Sequence, residues 1–316
     1  MGTQATRLHK ARLSLVWILV LTPVFFVVLW KILPPLPSSP MMRDSFWAHK
    51  VNLVDKFDIV YTGDSRVYRG VDPETVESIV RLKGFNYGFS SADLDSVLID
   101  RAASYLSARG NRILVIGLSA NSFVERSSSE ENAHLNSLLR ISDFDLWMRE
   151  NWYPHLTCFD HRAVSDLYKY LKHEHYDESY HVNTGFAASD KSPADTSEAL
   201  PLYQAEFKRA AFSARKLEAF QRCVARLQKQ KITVVLMRMP VTHAMQVLEA
   251  KHAPALEDYW HFAEFHDQHT FKGWGAYTTY DGSHLNSASA HKFSRDLGVY
   301  LSGILGKFPE RIHLNK

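Results

Sequence analysis

The stretch "RILVIGL" (Arg112–Leu118) is apolar at almost every position. A strand with one wet face alternates polar and apolar residues. A run without alternation is covered on both faces, as strands of a parallel sheet are. Three more runs of strand length accompany it: "FDIVYTG" (Phe57–Gly63), "FNYGFSS" (Phe85–Ser91) and "ITVVLMRMP" (Ile232–Pro240). Helical patterns lie between and after them. "DPETVESIVRL" carries an N-cap in Asp72, proline at the first helical position and Glu74 in the first turn. "ADLDSVLIDRAASYLSARG" sets Leu94, Val97, Leu98 and Ala102 on one face and stops at Gly110. "AEFKRAAFSARKLEAFQRCVARLQKQ" reads as one long helix, and a last helix covers "SASAHKFSRDLGVYLSGIL". Strands that alternate with helices predict an α/β fold, a mainly parallel sheet flanked by helices.

The head of the chain follows another rule. From Leu13 to Trp30 no residue is charged. At about 1.5 Å per residue that run just spans a hydrocarbon core. Arg7, Lys10 and Arg12 precede it, which places the N-terminus in the cytoplasm, and Trp17 and Trp30 stand near its ends, where indole rings favour the interface. "KILPPLPSSP" follows instead of a small-residue cleavage site, so the run reads as an uncleaved anchor rather than a signal peptide. The expected organisation is a cytoplasmic tail at 1–12, a transmembrane anchor at 13–33, a stiff spacer at 34–50 and a domain at 51–316 outside the cytoplasm. Within the domain the pattern loosens at about 122–201, and an insertion is expected there. Its "DLWMRENWYPHL" is aromatic, with Trp147, Trp152 and Tyr153 either a sugar-stacking platform or packing residues. Its "SDKSPADTSEALP" reads as an exposed loop.

Hydrophobic residues make up 46% and charged residues 22%, as in ordinary globular domains. A net charge of +3, without a basic stripe interleaved with aromatics, sets nucleic acid aside as a partner. Cys158 and Cys223 form no CxxC pair and suggest neither zinc nor redox chemistry; they are either paired or two buried thiols. His173, His175 and His181, and again His261, His266 and His269, lack a closed ligand pattern, so no metal and no cofactor is expected.

In an open α/β sheet functional groups gather at the carboxyl ends of the strands. Ser65, in "GDSR", follows the first strand, Gly88 the second and Asn121 the third. A serine becomes a nucleophile when a base takes its proton, and the base needs an acid to orient it. "YDGSHLN" supplies Asp281 and His284 three residues apart, a spacing that lets one turn set carboxylate against imidazole. Asp64 reads as a turn acceptor. Arg66 and Arg69 either bind an anionic substrate or form exposed salt bridges.

Gly63-Asp64-Ser65 after the first strand, a glycine after the second, and Asp281-x-x-His284 before the last helix resemble the SGNH (GDSL) hydrolase superfamily. "GDSRVYRGVDP", the N-terminal anchor and "YDGSHLN" are similar to its membrane-anchored branch, which includes alginate O-acetylation factors and the D-alanyl transfer protein of teichoic acids. The resemblance covers roughly Phe57 to Leu305 outside the insertion. It implies an SGNH/flavodoxin-like three-layer domain, with Ser65 as nucleophile, His284 as general base and Asp281 as its orienter. The implied oxyanion donors are the backbone N–H groups of Ser65 and Gly88 and an Asn after the third strand. Here the chain departs from the family: in "IGLSANSF", Ser119 stands at the Asn place and Asn121 lies two positions later. Asn121 reaches the hole from a longer turn, or Ser119 substitutes, or backbone donors act alone; a lost donor costs about 10²–10³ in rate.

The resemblance implies a membrane-anchored serine esterase or O-acyltransferase acting on acyl esters, in the first instance acetyl, of an envelope or exported polysaccharide. It also implies a multi-pass membrane acyltransferase as the partner that supplies acyl groups. The alternative is a non-catalytic scaffold or glycan-binding subunit of a polysaccharide modification or export complex.

Overall fold

The computed structural model describes residues 16–28, 39–125, 138, 141–157, 168, 172, 175–253, 256, 264–266 and 276–306. In chain order the first elements are helix α1 (16–28), α2 (Pro40–Asn52), strand β1 (Ile59–Gly63), α3 (Ser65–Gly70), α4 (Pro73–Val80), β2 (Gly84–Gly88), α5 (Ser96–Ser104) and β3 (Ile113–Leu118). A 3₁₀ turn (Ala120–Phe123) leads to α6 (Asp143–Asn151), α7 (Tyr153–Leu156) and the hairpin β4 (His175–His181) and β5 (Phe186–Ser192). Then come α8 (Ala199–Arg209), α9 (Ala214–Lys229), β6 (Thr233–Arg238), α10 (His243–His252), β7 (Glu264–His266) and α11 (Ser287–Gly306).

Among the described residues the main sheet has five strands in the order β2-β1-β3-β6-β7, every pair parallel. Val60 aligns with Phe85 on one side and Leu114 on the other, and Val115 with Val235. Alternate residues explain the unbroken apolar runs. Ile59, Tyr61, Ile113, Val115, Val235 and Met237 face a core completed by Val76 of α4 and by Phe293, Leu297 and Leu301 of α11. Val60, Leu114, Ile116, Val234 and Leu236 face a second core, completed by Phe46 and Trp47 of α2, Ile99 of α5 and Phe220 and Val224 of α9. Each buried side chain of this size stabilises the fold by roughly 1.5–3 kcal/mol. The expected α/β architecture with helices on both faces is therefore present.

Several segments differ from the sequence reading. Residues 40–52 are helix rather than spacer: Ser39 caps it, accepting from the Met41 N–H at 3.2 Å, and Phe46, Ala48 and Lys50 are fully buried. α5 starts only at Ser96, because Asp95 Oδ1 accepts from the Leu98 N–H at 2.8 Å. This leaves Val97 in solvent and buries Ile99 and Ala102. α5 also ends well before Gly110, where Phe57 pairs with the chain at Tyr105 and Ser107 (2.9 and 2.8 Å). The long helix expected from Ala205 is two helices. Phe212 bridges to Val124, the Ser213 N–H donates to the Phe123 carbonyl at 2.8 Å, and Ser213 then caps α9.

The expected insertion carries a hairpin fastened to the domain. The Asn86 N–H donates to the Thr184 carbonyl at 2.8 Å, Lys50 Nζ donates to the Gly185 carbonyl at 2.8 Å, and Phe186 is fully buried. Among the described residues no helix is long and apolar enough to cross a membrane. α1 is the described part of the uncharged run, and Trp17, Ile18, Leu19, Phe25 and Phe26 on it are exposed.

Candidate active site

Strand β1 delivers the chain to Asp64, whose side chain opens α3. Asp64 Oδ1 accepts from the Arg66 N–H at 3.0 Å, and its Oδ2 accepts from Ser119 Oγ at 2.6 Å. Asp64 is thus the structural acceptor the sequence suggested, and Ser119 is spent on bracing it. Ser65 is the first residue of α3, so its N–H has no partner within its own helix. β1 and β3 flank the point where the strand order reverses, the usual place for a site in such sheets. Ser65 follows the first and Asn121 the second.

The loop before α11 meets Ser65 there. Ser65 Oγ lies 2.8 Å from His284 Nε2, and His284 Nδ1 lies 2.6 Å from Asp281 Oδ2. Asp281 Oδ1 accepts from the N–H groups of Ser283 and His284, both at 2.8 Å, which closes the turn. Gly282 at its centre has φ +94, and a Cβ there would sit 2.2 Å from the Thr196 carbonyl oxygen, so the turn requires glycine. The loop hangs on neighbouring elements. The Ala199 N–H donates to the Asp281 carbonyl at 2.9 Å, and the Thr242 N–H to the Gly282 carbonyl at 3.0 Å.

Arg66 and Arg69 brace the arrangement from α3. Arg66 is buried; its Nε donates to Ser283 Oγ at 2.9 Å and its Nη1 meets Glu249 at 2.7 Å. Arg69 donates to the Tyr68 hydroxyl at 2.7 Å and the Tyr280 hydroxyl at 2.5 Å, and pairs with Glu178 of β4 at 2.9 Å. The ion pairs expected at these arginines exist; that of Arg66 is buried, and that of Arg69 is partly exposed at the edge of the site. Burial lowers the His284 pKa below its ordinary value, outweighing Asp281. Burial alone would raise Asp281, but the His284 ring and the turn's N–H groups hold it down at about 2. At neutral pH the carboxylate is charged and the imidazole neutral, ready to accept a proton.

Ser65, His284 and Asp281 open into a cavity of about 450 Å³, also lined by Arg69, Ser90, Ser91, Asn121, Tyr203 and Tyr280. The structure brings four of the five expected site residues together there. Gly88 is the exception. Its N–H donates to Asn86 Oδ1 at 3.0 Å, and it does not line the cavity. Its lack of a side chain serves packing, since a Cβ would lie 2.8 Å from the Tyr68 nitrogen. Trp147, Trp152 and Tyr153 do not line the cavity either.

Sequence reasoning missed Ser90 and Ser91, which stand two and three positions past Gly88, and the cavity wall made by Lys191, Glu198, Leu202, Tyr203 and Glu206 from the expected insertion and α8. Tyr280 was legible only as the residue beside Asp281; its ring stacks on His284. Among the described residues no cluster of His, Cys, Asp or Glu could hold a metal ion. His173, His261 and His269, and the side chains of His175 and His266, lie outside the described residues. Cys223 is a buried free thiol, and Cys158 lies outside the described residues.

No family model and no curated protein matches the chain. Among solved structures it is similar to a Streptococcus pneumonia protein provisionally described as a platelet activating factor, with a TM-score of 0.37 and 13% identity over 90% of this chain and 99% of that one. It is also similar to an acetyl xylan esterase, Est2A, from the rumen bacterium Butyrivibrio proteoclasticus, with a TM-score of 0.32 and 8% identity over 80% of this chain and 65% of that one. What the site can do follows from its own geometry.

Proposed function

We propose that the chain is a serine esterase or O-acyltransferase of SGNH (GDSL) type, anchored by residues 13–33. Its substrates would be acyl esters, acetyl first among them, on an envelope or exported polysaccharide. The observation that carries the reading is the chain of contacts Ser65 Oγ to His284 Nε2 (2.8 Å) and His284 Nδ1 to Asp281 Oδ2 (2.6 Å) at the mouth of a cavity. Such a relay suits one task, removing the proton of a hydroxyl as it attacks a carbonyl.

Ser65 Oγ adds to the acyl carbonyl while His284 Nε2 takes its proton, and Asp281 stabilises the imidazolium. The Ser65 N–H and the Asn121 side-chain amide receive the oxyanion. Collapse expels the alcohol, which takes the proton from His284 and leaves Ser65 acylated. Water or a sugar hydroxyl then attacks the Ser65 ester, losing its proton to His284, and collapse breaks the Ser65 Oγ–acyl bond as His284 returns the proton to Ser65 Oγ. Hydrolysis and transfer share every step but the last acceptor. An acyltransferase outside the cytoplasm needs acyl groups carried across the bilayer, the part a multi-pass membrane acyltransferase would play.

The test is active-site labelling of the full chain with a fluorophosphonate, alongside hydrolysis of p-nitrophenyl acetate. Wild type should label and turn over; Ser65→Ala should do neither and melt as wild type does. A wild type that neither labels nor hydrolyses, yet binds glycan, would leave the scaffold reading in its place.

A further inference from the structure

We infer that the aromatic corner of Phe144, Trp147 and Trp152 rests in the headgroup layer of the bilayer that holds residues 13–33, an inference that relies on the anchor reading above. These side chains are 67%, 48% and 49% exposed. They form one contiguous face: Phe144 stacks on Trp147 with centroids 6.1 Å apart, and Trp147 meets Trp152 edge-on at 6.4 Å. None of the three lines the active-site cavity. Contiguous exposed aromatic surface marks a contact with something apolar. Indole rings in particular prefer the boundary between hydrocarbon and water.

The choice of a lipid surface over another occupant comes from where the face sits along the chain. Helix α2 begins at Pro40, ten residues beyond Trp30, so its first turn lies within about 35 Å of the end of the uncharged run. α6 is fixed to that same helix. Ser45 Oγ donates to the Arg149 carbonyl, His49 Nδ1 lies 2.7 Å from Glu150, and Arg149 lies 3.7 Å from Asp44. The element tethered to the anchor therefore carries the aromatic corner on its flank. The charges beside the corner are mixed, Asp143, Asp145 and Glu150 against Arg149, which suits zwitterionic headgroups. The domain is then attached at two points, by its anchor and by its aromatic corner.

The experiment places the full-length chain in phosphatidylcholine vesicles with a trace of lipid carrying a diazirine close to the headgroup, followed by irradiation and peptide mapping. Adducts should appear on the 144–152 segment as well as on 13–33. The triple variant Phe144→Ser, Trp147→Ser, Trp152→Ser should lose the first set and keep the second, with melting and p-nitrophenyl acetate turnover unchanged. Adducts on 13–33 alone would overturn the inference and leave the anchor standing. Adducts on neither segment, with the protein recovered in the soluble fraction, would remove the anchor and the inference together. Protein–protein cross-links through 144–152 in place of lipid adducts would also overturn it.

Discussion

Tyr280 lies flat over His284, ring planes 14° apart and centroids 5.8 Å apart, with its hydroxyl held by Arg69 at 2.5 Å. Arg69 is itself paired with Glu178 on the hairpin, so β4 holds the tyrosine and the tyrosine covers the imidazole. Burial is the leading cause of the lowered His284 pKa, and Tyr280 is stacked against the imidazole. Tyr280→Ala should rehydrate the imidazole and move the acidic midpoint of the pH–rate curve upward, toward the ordinary value of about 6.5. Tyr280→Phe keeps the ring and removes the acceptor. It should leave the midpoint in place and lower stability by about 1.5–3 kcal/mol, the usual loss of a hydrogen bond to a charged group. An unmoved midpoint in the alanine variant would show that the ring does not control the base.

In wild type, turnover should rise with pH through the His284 pKa, which lies below about 6.5, and then stay level through neutrality. Asp281, held at about 2, stays ionised across that range and adds no second inflection. Stability has the same sign. The folded chain takes up the His284 proton less readily than the unfolded chain, so stability declines as pH falls below about 6.5. The depressed Asp281 adds a further loss as pH drops from about 3.9 toward 2. Urea midpoints taken between about pH 2 and 8 measure both. A midpoint that climbs on acidification would contradict a neutral imidazole beside a charged carboxylate.

Asp281→Asn retains the shape of the turn but offers His284 Nδ1 the wrong partner. Turnover should fall by about 10⁴. The double variant with Ser65→Ala should be no worse than Ser65→Ala alone, because the groups act as one unit. Additive losses in single-turnover kinetics would mean that Asp281 and Ser65 serve separate functions.

Asn121 and Ser119 are separated by what each one touches. Asn121 lines the cavity, whereas Ser119 Oγ donates to Asp64. Asn121→Ala should cost about 10²–10³ in turnover with little change in melting. Ser119→Ala should leave Asp64 short of a donor and cost about 1–3 kcal/mol of stability, with a smaller effect on rate. The reverse pattern would assign the oxyanion contact to Ser119.

Glu249 faces Arg66 at 2.7 Å with both side chains buried. Glu249→Leu would strand the guanidinium in the interior and should destabilise the domain by about 3–5 kcal/mol, read from urea denaturation. A change below about 1 kcal/mol, the scale of an exposed pair, would mean that water reaches Arg66.

The sheet was legible because Ile113 to Leu118 and their neighbours are apolar on both faces, a pattern that a strand with one wet face does not show. Ser65, Asp281 and His284 were legible through spacing: a strand end before the first, one turn between the other two. What stayed hidden depends on partners far along the chain. Helix α2 reads as spacer because it follows the proline-rich "KILPPLPSSP", yet Lys50 reaches Gly185, 135 residues away. The break at Ser213 answers to Phe123 and Val124, not to any local helix stop. Gly88 closes β2 at the carboxyl end of the sheet, where a site glycine is expected, but the Asn86 side chain two residues back takes its N–H. The cavity wall came from polar stretches such as "SDKSPADTSEALP", whose local composition reads as an exposed loop.

Ser65 and His284 are separated by 219 residues. A ribosome adding about 5–20 residues per second makes the serine roughly ten seconds or more before its base. The carbonyls of Asp281 and Gly282 must also find Ala199 and Thr242, both made earlier and waiting. A nascent chain that stops short of "YDGSHLN" thus carries the serine and no reactivity, whatever else has folded. Truncation products released during synthesis would be hydrolytically silent. On the proposed function, activity would switch on only as α11 closes the domain, which would keep Ser65 inert for nearly the whole of its own production.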